Sequence, residues 1–560
     1  MFSIKNSLKE NWGAILFWTM ACILLFFNLG LRNIFGSEGR WACVVREMFA
    51  SGDFLHPTVN GISYFDKPLG SYWLIALYAL FNGKNVTELV IRIPSAIAAL
   101  GFLWSVRSMA RSLWKEPIVA QYVAWLTLGV YAVTNWGRLG EADMLNLFFS
   151  TLAVAWYLKR RGQISFWTYL VFGVICALGG QTKGMSAIAI PIVAVFIDIA
   201  MSRRLKENLN WRLCLAVVLS IALYLLPFVA AAGGLSLAVR ENIVRYFNAF
   251  DHIEPWYAYF HYLPRLFLPW TPFLILALAW ALFSWKRLDS AERWCLLCII
   301  AIFVIFSASD SKRVYYILPI LPYCALLTGR FLSGTSAVHW GERISRGCLK
   351  ALLWLCVIAA GGLLLAPIAF LIANRINPVF SNLPPDVKLF FLLAPLPCAF
   401  IFAILWYIAP RLTRWCRSED LLFFKTALCV AWCIWVACSV AQPFIDSRLR
   451  VSHTFFKQLR AGLDAESIPP SQLAFWETTV VDAVYYMDYS VSIKVLKTND
   501  ELAAFWKTNP NAVVVFQRQA LERVKDKSIV DALGEPWKEE PKMPWEHQRR
   551  FKKKYIAFKK

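Results

Sequence analysis

Runs of about twenty apolar residues, parted by short basic loops, recur along this 560-residue chain and restrict what it can fold into. They fall at 12–31, 89–106, 117–135, 143–158, 166–180, 185–200, 213–232, 266–284, 294–308, 314–331, 350–373, 388–409 and 422–441. A backbone that crosses lipid must satisfy its own polar groups, so each run is expected to be a membrane-spanning helix. Composition agrees: 17% of the residues are charged, against about 25% in a soluble domain. One large soluble core is excluded, because such cores stop growing at roughly 250–300 residues. The expected fold class is a polytopic α-helical membrane protein.

The loops orient it. Basic clusters at Lys5/Lys9, Arg107/Arg111/Lys115, Lys159/Arg160/Arg161, Arg203/Arg204/Lys206, Lys286/Arg287, Arg343/Arg346/Lys350 and Arg411/Arg414/Arg417 fall in alternate loops. Cytoplasmic loops collect Lys and Arg. With every cluster in the cytoplasm the topology closes at thirteen crossings, N-terminus inside and C-terminus outside. It closes only if the short run 69–82, which follows Pro68, adds no crossing; that run reads as a re-entrant or juxtamembrane piece. The net charge of +22 therefore reports membrane orientation, and nucleic acid is set aside as a partner. The 14 Cys lie mostly in apolar runs, without paired zinc spacing or a disulfide framework. The first run lacks a small-residue cleavage site and is expected to remain as an anchor.

Two domains follow: a membrane domain, 1–441, and a soluble outer α/β domain, 442–560. The membrane domain carries two long outer loops, 32–68 and 233–265. In the tail, Gln472–Trp476, Ile493–Lys497 and Ala512–Phe516 read as strands, and Asn499–Lys507 and Gln519–Lys525 as helices. The basic end, Arg549 to Lys560, reads as a solvated strand or tail.

Ionisable residues that line a transport path sit at mid-membrane. Here the span centres are nearly free of charge, and the polar residues gather at the outer ends. The first loop has Glu38, Arg40, Arg46, Glu47, Asp53, His56, Asp66 and Lys67. Further outer turns bring Arg138, Glu141 and Asp143, then Lys183, then Arg245, His252 and Glu254, then Asp310, Lys312 and Arg313. Taken singly, each of these charges is more readily a solvated loop residue. Together, cations and carboxylates from distant loops on one face suit a phosphate-binding active site at the membrane–water boundary. No internal repeat is visible, which disfavours a transporter.

The motifs are Gly36-Ser-Glu-Gly-Arg40-Trp, Tyr64-Phe-Asp-Lys-Pro68, Arg138-Leu-Gly-Glu-Ala-Asp143, Lys183-Gly184, Glu241-Asn-Ile-Val-Arg245, His252-Ile-Glu-Pro-Trp-Tyr257 and Ser309-Asp-Ser-Lys-Arg-Val-Tyr-Tyr316. Over about 12–330 they resemble the bacterial aminoarabinose transferases that modify lipid A. More broadly the chain resembles polyprenyl-phosphate-dependent glycosyltransferases of the GT-C superfamily, kin of the protein O-mannosyltransferases.

The resemblance implies a GT-C fold and an inverting transfer of a monosaccharide, aminoarabinose or similar. The donor would be undecaprenyl phosphate, the acceptor lipid A or another envelope glycolipid, and the place the outer face of the bacterial inner membrane. A monomer is expected. Implied roles are catalysis by Glu38 and Asp143, and phosphate binding by Lys67, Arg245, Lys312 and Arg313. Arg40, Asp66, Arg138, Lys183, His252 and Tyr316 would line the site. The chain departs from the family at Ser37, where an Asp is usual, which leaves Glu38 as the acid of that motif. Asp66 and His252 could share a divalent cation, with ordinary hydrogen bonding the favoured reading. Rival functions are a protein O-glycosyltransferase, a non-catalytic lipid transporter and an inactive glycolipid-binding protein.

Overall fold

A computed structural model of the chain describes every residue except 1, 35, 66, 232–233, 240–243, 245–251, 335–338, 382, 413–419, 450–451, 490, 523, 525–526 and 541–553. Helices dominate up to residue 465. Among the described residues, six helices are long and apolar enough to cross a membrane, or up to eight spans if each of two bent pairs is one. The runs at 117–135 and 266–284 fall in those bent pairs. Pro117–Leu128 meets Tyr131–Gly137 at 59°, and Ala258–Leu266 meets Thr271–Phe283 at 119°. Outward-facing side chains fit a lipid environment: Val218, Leu226 and Val229 on helix Trp211–Ala230 are each more than 60% exposed.

Local signals set several helix starts. Thr87 and Ser165 accept the backbone N–H of Val90 and Thr168, and Asp289 with Glu292 forms a capping box. The run at 69–82 becomes helix Gly70–Leu80. Its 11 residues span about 16 Å at 1.5 Å per residue, short of the ~30 Å hydrocarbon core.

The first loop is built on a buried ion pair. Glu38 opens helix Glu38–Ser51 and is 0% exposed. Its two oxygens accept from Nε and Nη2 of Arg92, both at 2.8 Å. The backbone N–H of Gly140 donates to Glu38 at 2.7 Å, and Arg32 lies 3.5 Å away. Arg92 also donates to the carbonyls of Leu29, Arg32 and Asn33. One guanidinium thus joins the end of the first helix, the first loop and helix Glu88–Leu113. Burial pushes the Glu38 carboxyl up, but Arg92, Arg32 and Gly140 outweigh it and bring the pKa down to about 2. Beside this knot, Arg138 donates to the carbonyls of Leu24, Leu25 and Phe27, closing the first helix.

The first loop also carries a hairpin, β1 Thr58–Val59 with β2 Ile62–Ser63. Its turn residues, Asn60 and Gly61, have φ of 57° and 72°, the left-handed pair a two-residue hairpin favours.

Beyond residue 470 the strands are β3 Leu473–Trp476, β4 Lys494–Leu496, β5 Val513–Gln517, β6 Lys538–Glu539 and β7 Tyr555–Lys559. Their order is β4-β3-β5-β7-β6. β3 pairs parallel to β4 and β5, while β7 runs antiparallel to β5 and β6. Successive side chains alternate between two cores. Leu473, Phe475, Val513 and Val515 pack with Phe456 and Leu459 of helix Ser452–Ala465. Ala474, Trp476, Val514 and Phe516 pack with Leu502 and Phe505 of helix Asn499–Thr508. Two expectations change here. The basic end, expected as a solvated strand or tail, is a strand over Tyr555–Lys559 but not a solvated one, since Ile556, Ala557 and Phe558 are buried in β7; residues 549–553 lie outside the described residues. The helix expected over Gln519–Lys525 is only the turn Arg518–Leu521, and residues 523 and 525 lie outside them too.

The sheet region grips the first loop. Arg46 donates to the carbonyl of Tyr485 at 2.6 Å and pairs with Asp488 at 3.0 Å. Asn60 exchanges two 2.7 Å hydrogen bonds with the backbone of Ile493. The Tyr486 hydroxyl accepts the N–H of Ile34.

Removing one partner of the buried pair, as in Glu38→Gln or Arg92→Met, is expected to cost about 3–5 kcal/mol by stranding the other charge. Thermal unfolding of the purified protein in detergent checks this; wild-type melting in both variants would refute it. Because the Glu38 pKa is depressed, its stabilisation is present above the ordinary value of 4.5 and lost as pH falls toward about 2. Glu38→Gln should therefore flatten the melting profile across that interval.

Candidate functional site

A cavity of about 470 Å³ opens where the first loop, the Arg138–Asp143 turn, the end of helix Phe166–Lys183 and the segment 305–319 converge. Its lining includes the charged residues Arg40, Lys67, Glu141, Asp143, Lys183 and Arg313. It also includes the apolar residues Ala189, Ile190, Ile305, Phe306, Leu318 and Pro319.

Helix ends aim two of the charges. Asp143 is the first residue of helix Asp143–Lys159, and Lys183 the last of its own helix. Each sits at the terminus whose dipole favours its sign, and the two form an ion pair. The Lys183 ammonium also lies 4.4 Å from the ring centre of Tyr315 and 5.2 Å from that of Tyr316. Lys67 reaches the same space because the next helix packs tightly. A Cβ on Gly70 would lie 2.7 Å from the Gln181 carbonyl, and the Ser71 hydroxyl donates to the Thr182 carbonyl at 2.8 Å. Arg40 points in from the first loop, its guanidinium donating to the Tyr64 hydroxyl at 3.3 Å. Arg313 enters from the far side, held by the ring of His252.

Glu141 is the acid that sequence reasoning passed over. It lines the cavity, and its carboxylate accepts a 2.6 Å hydrogen bond from Ser37. Burial and the negative charge of Asp143 push its pKa up to about 7, against the pull of the Ser37 hydrogen bond and of Lys183. The available signal was its place in Arg138-Leu-Gly-Glu-Ala-Asp143, two residues from an acid already chosen.

Several expected site residues do other work. Glu38 is buried in the Arg92 pair and is not among the residues that line the cavity. Arg138 caps the first helix. Lys312 is 2% exposed and donates its ammonium to the carbonyls of Glu254 and Ser309. Its backbone N–H donates to the His252 carbonyl at 2.9 Å. It therefore ties two loops together rather than facing a phosphate. His252 is exposed, with φ of 53°. Arg245 and Asp66 lie outside the described residues. Of the pair suggested for a cation, Asp66 lies outside the described residues and the His252 ring nitrogen faces the Arg313 guanidinium; among the described residues no group of three His, Cys, Asp or Glu able to hold a metal occurs.

The profile of the dolichyl-phosphate-mannose-protein mannosyltransferase family matches residues 66–228. An undecaprenyl phosphate-alpha-4-amino-4-deoxy-L-arabinose arabinosyl transferase of Pseudomonas fluorescens is 29% identical over 367 residues, covering 61% of this chain. The chain spans about 60% of the length of that relative. In three dimensions it is similar to ArnT from Cupriavidus metallidurans bound to undecaprenyl phosphate, with a TM-score of 0.69 and 20% identity over 97% of both chains. An oligosaccharyltransferase of Archaeoglobus fulgidus follows at a TM-score of 0.50 and 11% identity, over 92% of this chain and 70% of that one. The fold is thus the GT-C fold that these membrane enzymes share.

Proposed function

We propose that the chain is an inverting glycosyltransferase. It moves a monosaccharide, aminoarabinose or a close relative, from undecaprenyl phosphate to lipid A or another envelope glycolipid. The observation that carries this reading is the mixed lining of the cavity: several cations and several apolar side chains around one space suit a lipid-linked phosphate. The 29% identity to an arabinosyl transferase that uses such a donor supports the same choice.

In the reaction, the acceptor oxygen attacks C1 of the sugar from the side opposite the phosphate. The C1–O bond to phosphate breaks, and its electron pair leaves on the carrier. Lys67, Arg40 and Arg313 hold the phosphate and stabilise the charge that grows on it. Asp143, kept in place by Lys183, faces the transferred sugar. Arg245 remains a sequence-based candidate for the phosphate. The topology belongs to the same proposal: thirteen crossings, the N-terminus in the cytoplasm, a membrane domain over 1–441, and an outer domain over 442–560 on the side of the cavity. The match of 66–228 to protein mannosyltransferases favours protein O-glycosylation as the second reading.

Purified protein given undecaprenyl-phosphate aminoarabinose and lipid A should release undecaprenyl phosphate and form glycosylated lipid A, both visible by mass spectrometry. No product with this pair, but transfer to a peptide, would favour the second reading. Lys67→Ala and Arg40→Ala should each lower kcat/KM for the donor by about 10–100-fold, the worth of one charge-assisted hydrogen bond. Unchanged donor kinetics in both would remove them from the phosphate site. For the topology, a cysteine replacing exposed Lys507 should react in intact cells with a maleimide that cannot cross the inner membrane. Labelling only after lysis would place the tail inside.

A further inference from the structure

The carboxylates at the cavity differ in how fully cations hold them. Glu38 is gripped by Arg92 and Arg32 behind the wall. Asp143 is neutralised by Lys183. Glu141 lines the cavity, forms no ion pair among the described residues, and takes one hydrogen bond from Ser37. We infer that Glu141 is the general base that takes the proton from the acceptor, and that Ser37 is the positioning residue that aims it. This rests on the transferase reading above and deepens it, because it requires an acceptor group that carries a proton.

The step balances. The acceptor O–H gives its proton to the Glu141 carboxylate as the acceptor oxygen bonds to C1. The C1–O bond to phosphate breaks with its electron pair on the carrier, and Glu141 later returns the proton to water. The charged and titratable groups around Glu141 are Asp143 on the following helix and Glu38 behind it in the first loop. Lys67 and Arg40 come from the first-loop side, Lys183 from its helix end, and Arg313, Tyr315 and Tyr316 from the opposite wall. A carboxyl buried beside another acid is a stronger base than a solvated one and still ionises near neutrality. The Ser37 hydroxyl, donating to one oxygen, fixes the plane of the carboxylate and favours its charged form.

The test is kcat/KM against pH for the full-length protein, with undecaprenyl-phosphate aminoarabinose and lipid A. The wild type should lose activity as pH falls through about 7. Glu141→Gln should lower kcat by about 10²–10⁴-fold, with donor KM little changed and the acid limb gone. Ser37→Ala should keep much of the rate and move the limb to higher pH, because the hydrogen bond that favoured the ionised carboxyl is lost. Glu141→Gln with wild-type kcat and the same limb overturns the inference, and an unmoved limb in Ser37→Ala overturns the role of Ser37. A wild type that releases no carrier phosphate with any acceptor overturns the transferase reading as well. If Glu141→Gln fails to fold, infrared titration of the wild type against Glu141→Asp decides: a carboxyl band titrating near neutrality and shifted by the substitution supports the assignment, and its absence refutes it.

Discussion

The half of the molecule that holds the cavity depends on one buried contact, the Glu38 carboxylate against the Arg92 guanidinium. Neither charge is stable alone in an apolar setting. Together, and with the carbonyls of Leu29, Arg32 and Asn33, they fix how the first loop leaves the first helix. That exit angle decides where Ser37 and Arg40 stand, and so part of the shape of the cavity. Gly140 donates to the same carboxylate, which carries the constraint to Glu141 and Asp143. One ion pair therefore sets the relative placement of two otherwise separate walls.

Part of the cavity wall is assembled from helix ends, beside what the first loop and the segment 305–319 contribute. Lys183 and Asp143 meet because one helix finishes where another starts. Charges held at helix termini keep their positions through backbone geometry, which pre-organises this part of the site. The cost of gathering so many cations is eased by partners already present: the ring of His252 for Arg313, the hydroxyl of Tyr64 for Arg40, and Asp143 for Lys183.

Much of this is legible in the sequence. Six of the thirteen apolar runs coincide with long apolar helices among the described residues and two more with the bent pairs, and the Val-rich strand at 513–517 is clear because both of its faces are covered. Long-range partners are harder to read. Glu38 and Glu141 sit in similar polar turns, and only contacts tell them apart: Arg92 meets the first, Ser37 the second. A lone Arg92 near the start of an apolar run is a usable hint, since a charge there needs a partner. Lys312 looks like a phosphate ligand because carbonyl partners leave no trace in sequence. The last strand is hidden by lysines, although Lys554 and Lys559 have acidic partners in Glu540 and Glu466.

The grip of the sheet region on the first loop carries a consequence for how the protein is made. Arg46 and Tyr485 are separated by 439 positions, and Asn60 and Ile493 by 433. Contacts of such long reach form late. While a ribosome is still extending the chain, the first loop stands without its support, and the wall that carries Arg40 has nothing to rest against. The site reaches its final form only when the distal segment has been delivered and folded. An unfinished chain would then lack a completed cavity.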